Sequence, residues 1–589
     1  MNRKWSLDVL YTSFDAPEFK RDMERLDQEI GKIQKWTEEN LVDTHKAAEK
    51  LEQYIQMMNE FYHLYTRLAD FAHLTLSTEA KNEVALKYED ILDQKATSLT
   101  KPEVTFIKWL GKLEELESYI DSNQYLKEHE FFVKEKANEN KYLLSDEEEV
   151  LISKMKNTGS NAWTKLQEML SSTLLVDITV DGEEKKLPLP VVRNMAYSDN
   201  AQVRKTAYEA ELENYKKLET SSAACLNGIK GEVITLAKMR GYASPLEMTV
   251  LNARMDMQTL DAMLTAIRES LPAFHKYFRK KGELLGYNSG LPFFEMFAPM
   301  GDVEMKFTYK EARDYIVKNF RTYSDKLADF AATAFDEGWI DAEPREGKRG
   351  GAFCANLHVV KQSRILSNFD GSFSNMTTLA HELGHGYHGA NLMDETYVNA
   401  EYPMPIAETA SIFCETIVKE AALKNANKEE AFTILESDIS DAGQVIVDIY
   451  SRFLFESELF RRREEGAVSV NELKEIMLDA QKQAYGDGLD HNFLHPYMWA
   501  CKPHYYYASH NFYNFPYAFG LLFAKGLYAE YLKRGDEFVD AYDRLLSVTG
   551  KNKIAEVTME MGIDVRNVDF WRSSLKLIER DIEKFINLK

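Results

Sequence analysis

Apolar residues recurring at helical spacing are the feature that most restricts how this chain can fold. Leu51, Tyr54, Ile55 and Met58 stand at i, i+3, i+4 and i+7, Phe61, Tyr62 and Tyr65 extend the stripe, and charged residues fill the opposite face. This pattern specifies amphipathic helices that bury one side. It governs roughly the first 170 residues, resumes near Asp199, and runs from Phe373 almost to the end. At Ser145-Asp-Glu-Glu-Glu a helix should start, with Ser145 as cap and acids in the first turn. Only 28 Gly and 14 Pro in 589 residues leave few helix breakers.

Two stretches depart from the pattern. Over residues 176–191, Asp177-Ile-Thr-Val alternates, Asp181-Gly182 supplies a type I′ turn, and Lys186-Leu-Pro-Leu returns, which reads as a β-hairpin. Between Gly347 and Phe373, Phe353-Cys-Ala-Asn-Leu-His-Val-Val and Arg364-Ile-Leu-Ser-Asn-Phe read as two short strands, closed by Asp370-Gly371. A chain of 589 residues exceeds what one core usually holds. The expected fold is therefore mainly α, in two or more lobes, with one hairpin and one small sheet. The boundary is drawn between an N-terminal helical lobe over 1–200 and a second domain over 201–589, which contains the segment read for chemistry below.

Charge narrows the function. Lys plus Arg is 72 and Asp plus Glu is 95, a net charge of −23, which argues against nucleic acid and against anionic lipid as partners. Cys225, Cys354, Cys414 and Cys501 form no CxxC pair, so a disulfide framework or a Cys-ligated zinc is not expected. No signal-peptide core follows the opening Met-Asn-Arg-Lys, and no window reaches the ~18 apolar residues of a membrane span. A cytoplasmic protein is expected.

The chemistry centres on Thr377-Thr-Leu-Ala-His381-Glu382-Leu-Gly-His385-Gly-Tyr-His388. Positions four apart on a helix differ by about 40° around the axis. His381 and His385 then project from one face at the spacing that zinc requires, and Glu382 beside them can reach a water as general base. HExxH arises by chance in about 2–3% of chains of this composition, so its surroundings matter. The flanking residues are apolar, and a buried His pair needs polar partners.

Downstream, in Ile406-Ala-Glu408-Thr-Ala-Ser-Ile-Phe-Cys-Glu415-Thr-Ile-Val, only Glu408 and Glu415 are charged. Seven apart, they fall on one stripe of an otherwise apolar helix and need cationic or hydrogen-bonding partners. Glu408, nearer the helix start, is the expected third metal ligand. Glu415 is expected behind the ligands, orienting a histidine or the loop. The metzincin string fails, because His388 stands where Gly is needed and Asn391 where His is needed. Three protein ligands leave one position for water, the mark of a catalytic zinc.

At this point the chain resembles the oligoendopeptidase F family, bacterial relatives of thimet oligopeptidase and neurolysin. The residues carrying the likeness are His381-Glu-Leu-Gly-His-Gly-Tyr-His388, Ala407-Glu408-Thr-Ala-Ser with Glu415, and Lys502-Pro-His504-Tyr-Tyr followed by Phe512-Tyr-Asn-Phe-Pro-Tyr-Ala-Phe-Gly520. The opening Trp5-Ser-Leu-Asp-Val-Leu-Tyr11 adds to it. The resemblance implies a two-lobed helical peptidase with a deep channel between the lobes, one zinc on His381, His385 and Glu408, Glu382 as base, and short peptides as substrates. It further implies that His504, Tyr513 and Tyr517 donate hydrogen bonds to the substrate backbone and the oxyanion, with Tyr505, Tyr506 and Tyr507 as rivals. His388 is given a supporting place beside the ligands. Cys414 and Cys501 are expected as small buried apolar groups.

The expected reaction is metal-assisted hydrolysis of internal peptide bonds. The strand Arg364–Asn368 is expected to pair with the substrate backbone. A carboxypeptidase of related helical fold and an inert peptide-binding protein stay open as alternatives. A blocked peptide cut internally speaks against the first, and the complete His-Glu-His-Glu set speaks against the second. Cobalt or manganese could occupy a similar N/O site.

Overall fold

The computed structural model describes residues 3–180, 182–301, 303 and 305–588. It is mainly helical, with a two-stranded and a three-stranded sheet. The chain forms two compact units, each gathered from separated segments. The first comprises Met1–Leu143, Glu304–Lys424 and Glu530–Ile563, the second Leu144–Val303, Asn425–Ala529 and Asp564–Lys589. These units are not the consecutive stretches 1–200 and 201–589. Periodicity identifies the apolar face of each helix but not which helices share a core, and the hairpin packs with elements far downstream.

In the first unit, the helices Pro17–Asn40 and Ala47–Thr78 bury the expected stripe. Leu51, Tyr54, Ile55, Met58 and Phe61 are buried, while Tyr62 and Tyr65 are partly so. Tyr54 stacks on Phe106 at 3.7 Å between ring centroids. Three strands join this core: β3 (Ile340–Asp341), β4 (Phe353–Leu357) and β5 (Gln362–Leu366). Their order is β3-β5-β4, with β5 parallel to β3 and antiparallel to β4. The strand at Arg364–Asn368, expected to pair with substrate, is therefore central, and β4 holds the edge. Strand propensity does not encode strand order, which is set by how the sheet packs. The helix Phe373–Ala390 packs on β4 and β5, so the small sheet underlies the HExxH segment.

The second unit contains the hairpin, β1 (Leu175–Val180) and β2 (Glu183–Pro188), in register from Leu175 opposite Pro188 to Val180 opposite Glu183. Val176 and Ile178 point inward, and Asp177 pairs outward with Lys217 at 2.6 Å. Of the expected turn, Asp181 lies outside the described residues, and Gly182 has φ +79°. Ser145 caps the helix Asp146–Lys156 through a reciprocal capping box with Glu148. Cys414 and Cys501 are buried, and all four cysteines are free. Among the described residues no helix is long and apolar enough to cross a membrane.

A buried ion pair anchors the segment of the second unit that carries Tyr513. Lys230, on the helix Glu219–Arg240, lies 2.7 Å from Glu456 on the helix Ile449–Glu465, and both are almost fully buried. Lys230 also donates to Asn511 Oδ1 at 2.9 Å, and Asn514 donates to Glu456 Oε2 at 3.1 Å. Between these asparagines Phe512 holds φ +51°, a conformation that a bulky residue rarely adopts without surrounding restraint. Removing one member leaves the other charge buried and unpaired. Glu456→Leu should cost about 3–5 kcal/mol in denaturant unfolding, and adding Lys230→Met should recover most of it. Unchanged stability of the single variant would show that the pair restrains nothing.

Candidate metal centre and active site

The HExxH helix starts where the sheet ends. Gly371 takes φ +91°, Asp370 accepts from the Ser372 amide at 2.8 Å, and Ser372 caps the helix by accepting from the Asn375 amide at 3.2 Å. Met376, Leu379, Ala380 and Leu383 are fully buried, which fixes the rotation of the helix about its axis. His381 and His385 then emerge one turn apart, with ring centroids 5.0 Å from each other.

Glu408 reaches both rings. Its Oε2 lies 3.1 Å from His381 Nε2 and 3.5 Å from His385 Nε2. One ligand atom from each of His381, His385 and Glu408 fits within 4.8 Å of the others. Glu408 stands between the turn Met404–Ala407 and the helix Thr409–Asn425, not on one helix stripe with Glu415. Ser411 donates to Glu408 Oε2 at 2.9 Å and holds the carboxylate in place. Glu415 takes the far side of the first ring, with Oε2 3.0 Å from His381 Nδ1 and Lys419 at 2.6 Å from its other oxygen.

The site favours positive charge between its carboxylates. Burial lowers His381, but hydrogen bonds to Glu408 and Glu415 outweigh it and raise the imidazole to about 10. Burial lowers His385 to about 4, although Glu408 and a hydrogen bond to the Ala407 backbone oppose this. Glu408 and Glu415 both fall to about 2 despite burial, which pushes them up. His381 and His385 draw Glu408 down, and Lys419 and His381 draw Glu415 down. Glu415 engages His381 Nδ1 and the Ala407 backbone hydrogen-bonds the His385 ring, while the Nε2 atoms of both rings face the Glu408 carboxylate. Two imidazole nitrogens and one carboxylate oxygen suit zinc.

Glu382 is buried, and its Oε2 has no hydrogen-bond partner among the described residues. Burial pushes this carboxyl up to about 7, opposed by the charge on His381 and assisted by Glu408 and Glu415. His388 is fully buried, pairs through Nε2 with Thr549 Oγ1 at 2.9 Å, and stacks on Tyr402 at 4.1 Å. Burial, then the neighbouring His385, lowers it to about 3, so it is neutral and sits outside the donor set.

The second unit holds the other expected residues together. His504 lies 5.2 Å from Tyr513 and 6.3 Å from Tyr517, and Tyr513 lies 5.6 Å from Tyr517, between ring centroids. His504, Tyr513 and Tyr517 are partly exposed, as is Tyr507, whereas Tyr505 and Tyr506 turn into the core. His510, 5.5 Å from Tyr513, joins this cluster.

The motif reading missed the glycines. A Cβ on Gly384 would lie 2.4 Å from the Ala410 carbonyl oxygen and 2.6 Å from Ser411 Cα. Gly384, between the two histidines, therefore lets the helix touch the backbone that carries Glu408. A Cβ on Gly389 would meet the Asn356 side chain at 2.2 Å, and Asn356 donates to the His385 carbonyl at 3.2 Å. The available signal was a run of glycines inside a helix, where glycine is otherwise unfavourable.

Residues 194–577 match the model of peptidase family M3, and residues 112–174 match that of oligopeptidase F. The chain belongs to peptidase family M3, and it is a metallopeptidase. It is 24% identical over 606 residues to oligopeptidase PepF of Bacillus subtilis, covering 99% of this chain and 87% of that relative. It is 25% identical over 623 residues to an oligoendopeptidase F homolog of Lactococcus lactis subsp. lactis, covering 99% and 97%. A candidate peptidase from Chlamydophila abortus has the same fold, with a TM-score of 0.86, 20% identity and coverage of 100% and 98%. Oligoendopeptidase-F from Enterococcus faecium follows with 0.71, 18% identity and coverage of 97% and 98%. The family expected from the motifs is the family found.

The close approach at Gly384 is testable. Gly384→Ala should cost about 1–3 kcal/mol by overpacking and reduce zinc retained after dialysis, read by thermal melting and elemental analysis. Glu415→Gln should keep the fold and weaken zinc about 10–100-fold in a competitive chelator titration. Wild-type zinc affinity in both variants would contradict this geometry.

Proposed function

We propose that the chain is a zinc-dependent endopeptidase that hydrolyses internal bonds of short peptides. The observation that carries this reading is the convergence of His381, His385 and Glu408, with the buried carboxylate of Glu382 next to them. Relatives bearing the names oligopeptidase and oligoendopeptidase support the substrate class. The four free cysteines fit a reducing compartment, and we assign the enzyme to the cytoplasm.

Zinc would be held by His381 Nε2, His385 Nε2 and a Glu408 oxygen. When bound it supplies Lewis acidity, lowering the pKa of a water to about 7 and polarising the scissile carbonyl. Glu415 holds the His381 ring by Nδ1 and the Ala407 backbone hydrogen-bonds the His385 ring, which orients the two imidazoles. Glu382 takes a proton from the attacking water as the water oxygen bonds to the carbonyl carbon. It returns that proton to the amide nitrogen as the C–N bond breaks. We assign His504, Tyr513 and Tyr517, which lie together in the second unit, as hydrogen-bond donors to a bound peptide. The edge of β4 replaces β5 as the strand offered to the substrate.

Glu382→Gln should retain zinc and lose about 10²–10⁴ in kcat, measured on a quenched peptide alongside metal content. Full turnover in that variant would remove Glu382 from the base role. A ten-residue peptide blocked at both ends should yield internal fragments by mass spectrometry. Cleavage should stop with a chelator and return with zinc. Cleavage confined to an unblocked C-terminus would favour a carboxypeptidase.

A further inference from the structure

The second unit encloses a half-open cavity of about 500 Å³ that contains none of the residues assigned above to metal, base or substrate donors. Its size falls in the range of small-molecule sites. Phe293, Phe294, Phe297 and Tyr208 give it an aromatic wall. Gln444 and Asp448 enter from a single π-helical turn, Gln444–Asp448, a rare distortion that is frequent at functional sites.

Its charges balance except at one place. Arg204 donates twice to Glu295 Oε2, from Nε at 2.8 Å and from Nη2 at 2.5 Å, and both side chains are buried. Asp448 is taken by Arg452. Arg193 lies 3.4 Å from Glu211, which is shared with Tyr215 at 2.7 Å and His495 at 3.5 Å. Lys502, also in the lining, has no ion-pair or hydrogen-bond partner for its side chain among the described residues. It follows the short helix Met498–Cys501 and precedes Pro503, which restricts its backbone to the extended conformation observed (φ −101°, ψ 109°). Burial, then repulsion from Arg452, presses its ammonium below the ordinary lysine range against the attraction of Asp448. A partly buried cation without a partner is costly, and an incoming anion removes that cost.

We propose that this cavity binds a small apolar monocarboxylate, with its carboxylate on Lys502 and Arg193 and its apolar body on the Phe293, Phe294 and Phe297 wall. One negative charge matches Lys502, the cation of this lining without a side-chain partner among the described residues. A dianion would meet Glu211 and Asp448 in the same lining. The carboxylate could belong to a free acid or to the C-terminus of a short peptide.

The test is calorimetric titration of the zinc-loaded enzyme with 3-phenylpropionate, with 3-phenylpropionamide, and with acetyl-Leu-Phe. The acid should bind about tenfold or more tightly than the amide, the difference that a charge-assisted hydrogen bond supplies. Lys502→Met should bring the acid down to the level of the amide while leaving the amide unchanged. That variant also separates this site from any carboxylate binding at the metal. If it does not fold, Lys502→Gln and a thermal shift of the wild type by acid but not by amide read the same point. Tighter binding of acetyl-Leu-Phe, lost in Lys502→Met, assigns the site to a peptide terminus. The opposite order assigns it to a free acid. Equal affinity for acid and amide, no binding of either carboxylate, or binding indifferent to Lys502 would overturn the proposal. The readout is binding, so it stands or falls separately from the peptide-cleaving assignment.

Discussion

Backbone contact between the HExxH helix and the segment bearing Glu408 is the constraint on which the site depends. Two histidines a turn apart supply only part of the metal site proposed above. The third donor must arrive from a separate element, and a carboxylate side chain has little reach. Gly384 removes the one side chain that would hold the two backbones apart. Glu408 then meets both Nε2 atoms within 3.5 Å. The sheet supports the other side of the helix, where Asn356 of β4 binds the His385 carbonyl and Gly389 makes room for it. Site geometry and local packing are thus one problem here, and each glycine gives up helix propensity for proximity.

Electrostatics follow from that packing. Carboxylates brought into a buried site need positive charge, and Glu408, Glu415 and Glu382 are all drawn close to His381. Glu415 is compensated by Lys419 as well as by the ring it orients. Glu382 has no comparable partner among the described residues, which distinguishes it from the other two and fits a group that handles protons. His388, fully buried against Thr549 and Tyr402, braces the helix one turn further on.

Much of this was legible in the sequence because the relevant signals are local. The stripe through Leu51, Tyr54, Ile55 and Met58, the cap at Ser145, the hairpin alternation around Val176 and Ile178, and the His381–His385 spacing each occupy a short window. What could not be read depends on elements distant in the chain. The two compact units interleave three segments each. Strand β5 is central because β3, outside the stretch read as sheet, pairs with its end. Glu408 and Glu415 were placed on one helix by their spacing of seven. The Met404–Ala407 turn instead sets Glu408 before that helix, so the two approach His381 from opposite nitrogens. Tyr505, Tyr506 and Tyr507 are alike in sequence, and only packing separates the buried pair from the partly exposed third.

X-ray absorption at the zinc edge of the reconstituted enzyme tests the central claim most directly. The expected first shell has two imidazole nitrogens at about 2.0–2.1 Å, oxygen donors for the remainder, and no sulfur. The Glu408→Ala enzyme should keep the imidazole signature and lose oxygen scattering or the ion itself. Sulfur in the shell, an imidazole count other than two, or a Glu408→Ala spectrum identical to that of the wild type would contradict the site described.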